Sequence, residues 1–350
     1  MLRVKSLSGL YVLLSLIAGQ SIFCTAADAR VEFEPLTAAV GAFPAPPAGD
    51  GRGMLELLQL HDKTAGEASF GKPGTLSGNS FYVAYDNEQS TVYVPTLAGK
   101  TYVVDRFTQE TVNSFSTIEG GRVARLTPEK DMVLVLSGKQ LAGYRTHTGE
   151  QIFKTAVGGN AMVIDPSGTD VYVGGNMNKH ITEISLPAGK IVHTYPIAGS
   201  GDLAWIDKKI FSANMKTGVM SVLNTESGKI TRIKTPEKDP HFSYHDIGAA
   251  KAGFMQIVAV PDRHLVYAAG FSGHILKFSS SKNTYLGEVA VKVNSKGPNK
   301  LSGLVLLKNG RVALTTIENL HETVEVDMES ARIIRTFPQV ASNRWVVAQG

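Results

Sequence analysis

Ala161-Met162-Val163-Ile164-Asp165-Pro166-Ser167-Gly168, then Asp170-Val171-Tyr172-Val173, then Leu186-Pro187-Ala188-Gly189-Lys190: this run decides the fold. The first segment is a short apolar strand that ends in a Pro- and Gly-containing turn. The second is rich in the β-branched and aromatic residues that suit a pleated surface. The third places Gly before Lys in a turn, and Ile191 to Tyr195 follows as another strand. Alternating apolar runs on either side of a Gly-containing turn read as hairpins.

The same unit recurs through the chain. Its turn returns at Asp62–Glu67, Asp105–Glu110, Thr146–Glu150, Asn224–Lys229, Ser281–Thr284 (a degenerate copy) and Asp327–Arg332. Its first strand returns near Ser80, Arg122, Asn160, Asp202, Phe254, Leu301 and Asn343. Four strands per unit at a spacing of roughly 40 to 50 residues predict an all-β fold, a propeller of four-stranded antiparallel blades. Six complete units lie between Ser80 and Gln339, and a lone strand, Asn343 to Ala348, is left over. The N-terminal runs Val31–Pro35, Met54–Leu60 and Ala68–Phe70 supply what that strand lacks. Pairing the two ends makes a seven-bladed ring closed by N- and C-terminal strands, which leaves no free sheet edge. Six blades with an N-terminal arm is the alternative.

The hairpins resemble the bacterial YVTN-type repeats, a WD40-like propeller class. The matching residues are Val92-Tyr93-Val94-Pro95-Thr96 with Val103-Val104-Asp105, and Val171-Tyr172-Val173-Gly174-Gly175-Asn176. Weaker copies are Val266-Tyr267-Ala268-Ala269-Gly270 and Val324-Glu325-Val326-Asp327. The resemblance implies the propeller fold. For function it implies binding proteins, subunits of periplasmic redox enzymes or a few lytic or lactone-opening enzymes, and several blades depart from the consensus Asn or Asp.

Composition fits a large folded core: 350 residues, 43% hydrophobic and 19% charged. The net charge of +4 is too small for a broad nucleic-acid footprint. Arg3 and Lys5, the apolar run Leu10 to Ile22, and small residues at Thr25, Ala26, Ala27 and Ala29 read as a Sec-type signal peptide over 1–29. A single propeller domain over 30–350 and a periplasmic or secreted location follow. An uncleaved anchor is the competing reading, against which Gly19, Gln20 and Ser21 interrupt the run. Cys24 is the one cysteine, so a cleaved chain has no disulfide or thiol chemistry, and no stable membrane span is expected after cleavage.

A propeller presents its site where inter-blade loops and the loops between second and third strands converge on the axis. The longest such loop, Lys234 to Phe254, holds Asp239, His241, Tyr244, His245 and Asp246. His241, His245 and Asp246 are candidate ligands of a divalent metal if the loop makes one helical turn. An ordinary surface loop with its aromatics tucked beneath is the plainer reading. Glu318 and His321 in another loop could act as acid and base. His180 occupies the equivalent loop of an earlier unit, although exposed His is common in turns. Arg122, Arg125, Asp202, Lys300 and Arg344 begin inner strands, where they either bind an anion at the channel or pair with one another.

No Gly-rich phosphate loop precedes a helix, and no nucleophile elbow is present. The expectation is therefore a binding scaffold for a protein partner or small ligand at the rim. A lyase or lactonase with a rim metal and a His/Glu acid-base, and a non-catalytic subunit of a periplasmic redox enzyme, are the alternatives.

Overall fold

A computed structural model describes residues 37–43, 54–59, 68–70 and 80–349, apart from 109, 245, 247–248, 294–298 and 339. They belong to one compact unit, Pro35–Gly350. The signal segment and the expected strand Val31–Pro35 lie outside the described residues.

Every regular element of length is a strand. Blade I comprises β4 (Ala84–Asp86), β5 (Thr91–Thr96), β6 (Lys100–Asp105) and β7 (Thr111–Ser116). Blade II comprises β8 (Val123–Leu126), β9 (Met132–Leu136), β10 (Leu141–Arg145) and β11 (Gln151–Thr155). Blade III runs through β12 (Ala161–Ile164), β13 (Asp170–Gly174), β14 (Ile181–Ser185) and β15 (Lys190–Tyr195). Blade IV has β16 (Ser200–Ile206), β17 (Lys209–Asn214), β18 (Val219–Asn224) and β19 (Ile230–Lys234). Blade V has β20 (Phe254–Val260), β21 (Leu265–Gly270), β22 (His274–Ser279) and β23 (Thr284–Ala290). Blade VI has β24 (Leu301–Leu307), β25 (Val312–Ile317), β26 (Glu322–Asp327) and β27 (Ile333–Pro338).

The described residues thus form six blades of four consecutive antiparallel strands, not the seven expected of the repeat. The remaining sheet is built differently, from both ends of the chain. In it β28 (Trp345–Gln349) pairs with β1 (Thr37–Phe43), β1 with β2 (Met54–Gln59), and β2 with β3 (Ala68–Phe70). The register sets Gly41 against Trp345 and Thr37 against Gln349. Its N-terminal strand is therefore Thr37–Phe43, a segment whose Ala and Gly residues carry no polar–apolar alternation to betray it.

The blades stack through their faces. Middle strands such as β5, β9 and β21 are buried along their whole length, whereas the outer strand β15 is exposed until Tyr195. The core is divided into seams between neighbours. Phe211, Met220, Phe254 and Phe278 fill the seam between blades IV and V. Val305, Leu314 and Phe337 meet Trp345, joining blade VI to β28. Val83, Val92, Val94 and Val104 meet Val346, joining β28 to blade I. Each large side chain buried this way contributes about 1.5–3 kcal/mol.

The recurrent turn has a mechanical basis. The Asp105 carboxylate accepts the N–H groups of Phe107 (2.9 Å) and Thr108 (2.7 Å). Asp327 does the same for Glu329 and Ser330, and Asn224 accepts from Ser227. These side chains replace missing ladder bonds at the corner. Gly149, Gly189 and Gly228 follow at φ near 71°, 65° and 69°, a region L residues avoid. A Cβ on Gly149 would also stand 2.4 Å from Phe115 of the preceding blade.

Candidate binding site at the axis and rim

Inner strands meet the axis with one backbone edge, whose N–H groups must be satisfied there. Gln256 on β20 does this for two other strands. Its Oε1 accepts the N–H of Leu304 and of Trp345, both at 2.8 Å. Its Nε2 donates to the Trp345 carbonyl (2.7 Å) and to the Tyr82 hydroxyl (2.9 Å). One side chain thereby uses its full hydrogen-bonding capacity across β20, β24, β28 and the approach to β4. Tyr82 precedes β4 and bridges to Val123 of β8.

Asp202 and Arg344 complete this polar layer. Asp202 Oδ2 accepts the Ile257 N–H (2.9 Å) and lies 3.7 Å from Arg344 Nε, with both side chains 1% exposed. The guanidinium also stacks over Phe81 at 4.8 Å and donates through Nη1 to the Asn343 carbonyl at 2.7 Å. Burial pushes the Asp202 carboxyl up, opposed by the charge of Arg344. The Arg125 guanidinium lies 3.4 Å from the Tyr82 ring centroid. Of the two uses expected for the inner-strand charges, the described structure realises pairing for Asp202 and Arg344. Arg122 is exposed at the rim beside Phe81.

A chamber of about 440 Å³ runs along the axis next to this layer, lined from β4, β8, β12, β16, β20, β24 and β28. Trp205 borders it and packs on Tyr172, 5.7 Å between rings. Trp345 is buried and donates from Nε1 to the Thr316 hydroxyl at 2.8 Å. A cavity of about 730 Å³ lies between blades I and II and is lined by Glu119, Lys139, Tyr144 and Lys154 among others.

The long rim loop, residues 235–253, is fastened from below. Asp239 accepts the N–H of His241 through one oxygen (2.9 Å) and of Lys251 through the other (2.8 Å), which holds its carboxyl below the usual range. These two bonds set the loop. Phe242 is buried with Met215, Met255 and Phe271, and Tyr244 packs edge-on against it at 5.0 Å. The aromatics are tucked under, as the plainer expectation had it. His241 and Asp246 are exposed, and Asp246 accepts the Ala249 N–H at 3.1 Å. Among the described residues no three His, Cys, Asp or Glu side chains gather as a metal site, and His245 lies outside them.

Glu318 and His321 do not form an acid-base couple of two free groups. Glu318 turns inward, where burial pushes its carboxyl up against the opposing effects of Ser302, Lys300 and Arg344. His321 is exposed at φ 51°, in the left-handed position that closes its turn. His180 is exposed at the start of β14. Lys300 is buried over Phe271, 5.1 Å from the ring, so burial lowers its pKa while Glu318, Asp246 and Asp239 raise it.

Sequence reasoning missed Glu237, which anchors the loop. Its fully buried carboxylate accepts the Gly253 N–H at 2.8 Å and the hydroxyl of Ser272. Ser272 Oγ also lies 2.8 Å from His274 Nδ1, and His274 Nε2 lies 3.7 Å from Glu288. That serine–histidine pair is a buttress: the N–H groups of Ser272 and Gly253 both serve Glu237, and the Gly273 N–H serves Gly270. Gly270 is the trace left in the sequence, since a Cβ there would stand 2.4 Å from the Glu237 carboxylate.

Among the described residues no helix is long and apolar enough to cross a membrane. No family model matches the chain, and no curated protein matches it. Solved structures do match, in 1623 chains. One is a chain of Kuenenia stuttgartiensis hydrazine synthase, with a TM-score of 0.63 and 12% identity over 77% of this chain and 91% of that one. Such a likeness shows the fold alone, so the class of the protein is the β-propeller, and its function must be argued from the site.

Proposed function

We propose that this chain is an exported binding propeller that holds a partner protein on the rim at blade IV and the loop that follows it. The observation that carries this reading is a cavity of about 440 Å³ flanking the rim loop, edged by Lys216, Lys234 and Lys238. All three lysines are exposed, and the one carboxylate on that cavity, Asp239, has both oxygens engaged by backbone N–H groups. The groove therefore presents positive charge from a base held by Glu237, Asp239 and Phe242. A preorganised surface of this kind loses little entropy on binding, and its charge favours an acidic segment of the partner.

Export in this reading rests on the signal-like N-terminus, and N-terminal sequencing of the mature protein should find a start near Ala27 to Arg30. A ring joined through the chain's two ends is supported by the seating of Trp345 and Val346 of β28 between blades VI and I. The repeat resemblance is compatible with a periplasmic role.

The test is affinity capture from a periplasmic fraction with three baits. These are the unaltered protein, the charge-reversed K216E/K234E/K238E variant, and a variant altered on the opposite face at Glu88 and Glu226. The reading expects a partner lost from the rim variant alone. Equal recovery by all three, or loss only from the opposite-face variant, rejects it.

A further inference from the structure

We infer that the axial chamber is a binding site for a small amphiphilic carboxylate, with its apolar body in the channel and its head on Arg125. The inference uses other residues and does not depend on the rim reading. The chamber, about 440 Å³, has the size of a small-molecule site. Its wall carries Tyr85, Leu126, Val163, Trp205, Val258 and Val347, each only partly buried by the fold. Apolar surface left open inside a ring gains free energy when an apolar group covers it.

Arg125 is the charged residue on that wall. One of its N–H groups donates to the Ala124 carbonyl at 3.1 Å, and its face rests on Tyr82. The neighbouring carboxylate, Asp202, is committed to Arg344 and to the Ile257 N–H. Among the described residues Arg125 makes no ion pair of its own, so its charge is open to a carboxylate head through charge-assisted hydrogen bonds. Gln256 is saturated, so recognition of the head falls to Arg125. A smaller cavity of about 320 Å³ shares Tyr85 and Val347 with the chamber and reaches exposed Asn87. It offers a way in from the turn between β4 and β5.

The test is calorimetric titration of the mature protein with octanoate, 1-octanol and acetate. Octanoate should bind one saturable site, octanol more weakly by about tenfold or more, and acetate without saturation. R125Q should reduce octanoate to the octanol level and leave octanol unchanged, and A259F, which fills the channel, should block both. Circular dichroism checks the fold of each variant, and A259F tests the site even if R125Q fails to fold. Absence of saturable octanoate binding, equal affinity for octanoate and octanol, or octanoate affinity unchanged in a folded A259F overturns the inference.

Discussion

The Asp202 carboxylate and the Arg344 guanidinium meet 3.7 Å apart at the axis, where β16 from the middle of the chain faces the approach to β28 near its C-terminal end. Both are 1% exposed, so each charge has given up its hydration for this pairing. Removing one partner strands the other. D202N and R344M should each lower stability by about 3–5 kcal/mol, and the double variant should lose far less than their sum. Urea unfolding of the three variants gives the coupling, and strictly additive losses would mean that the pair contributes nothing as a pair.

Gln256 should be as costly to replace. Q256L leaves the N–H groups of Leu304 and Trp345 buried without acceptors, at about 1–3 kcal/mol each. Q256E keeps those acceptors but sets a carboxylate oxygen against the Trp345 carbonyl, so it too should unfold at lower urea than the unaltered chain. A Q256L midpoint equal to that of the unaltered chain would rule out the hub.

At the turn glycine position Ala331 stands at φ 58°, where blades II, III and IV have Gly149, Gly189 and Gly228. The left-handed region costs an L residue roughly 1–2 kcal/mol, so A331G should raise stability by about 1 kcal/mol after the added backbone entropy. G149A should do the opposite and by more, since the new methyl also meets the Phe115 ring. Thermal melting of the two variants checks both signs.

Buried and turn carboxylates should give stability opposite dependences on pH. Burial holds Glu237 above its ordinary 4.5. The native state therefore favours its protonated form, and that contribution is present at low pH and lost as pH rises through the raised value. Asp105 is held below its ordinary 3.8 by the Thr108 and Phe107 N–H groups, so its contribution is present above that value and lost as pH falls through the lowered one. Relative to the unaltered protein, E237Q should therefore gain as pH rises, whereas D105N should lose at neutral pH and recover in acid. Unfolding free energies from acid to neutral pH read both differences.

Much of the fold was legible because blades are local. Asp105, Asn224 and Asp327 each act within three residues of themselves, and the inner strands begin within a few residues of their expected starts. The closing sheet was legible from β28 but not from β1, because Thr37-Ala38-Ala39-Val40-Gly41-Ala42-Phe43 is strand through its partners Trp345 to Gln349 on one side and Met54 to Gln59 on the other. The site was harder still. Gln256 and Tyr82 look like ordinary strand residues, and only closure of the ring brings them to 2.9 Å. Asp239 accepts two backbone N–H groups, and a carboxylate that caps a loop looks in sequence like one that binds a ligand.

The proposed docking of a partner on the rim at blade IV and the loop after it is open to a direct experiment. Site-specific photo-crosslinking in cells tests it most directly, with the reactive residue placed at Lys216, Lys238, His241 or Asp246 and, on the opposite face, at Glu88 or Glu226. One discrete adduct is expected from the rim positions and none from the opposite face. Adducts from Glu88 or Glu226 alone, or none from any rim position, would contradict it.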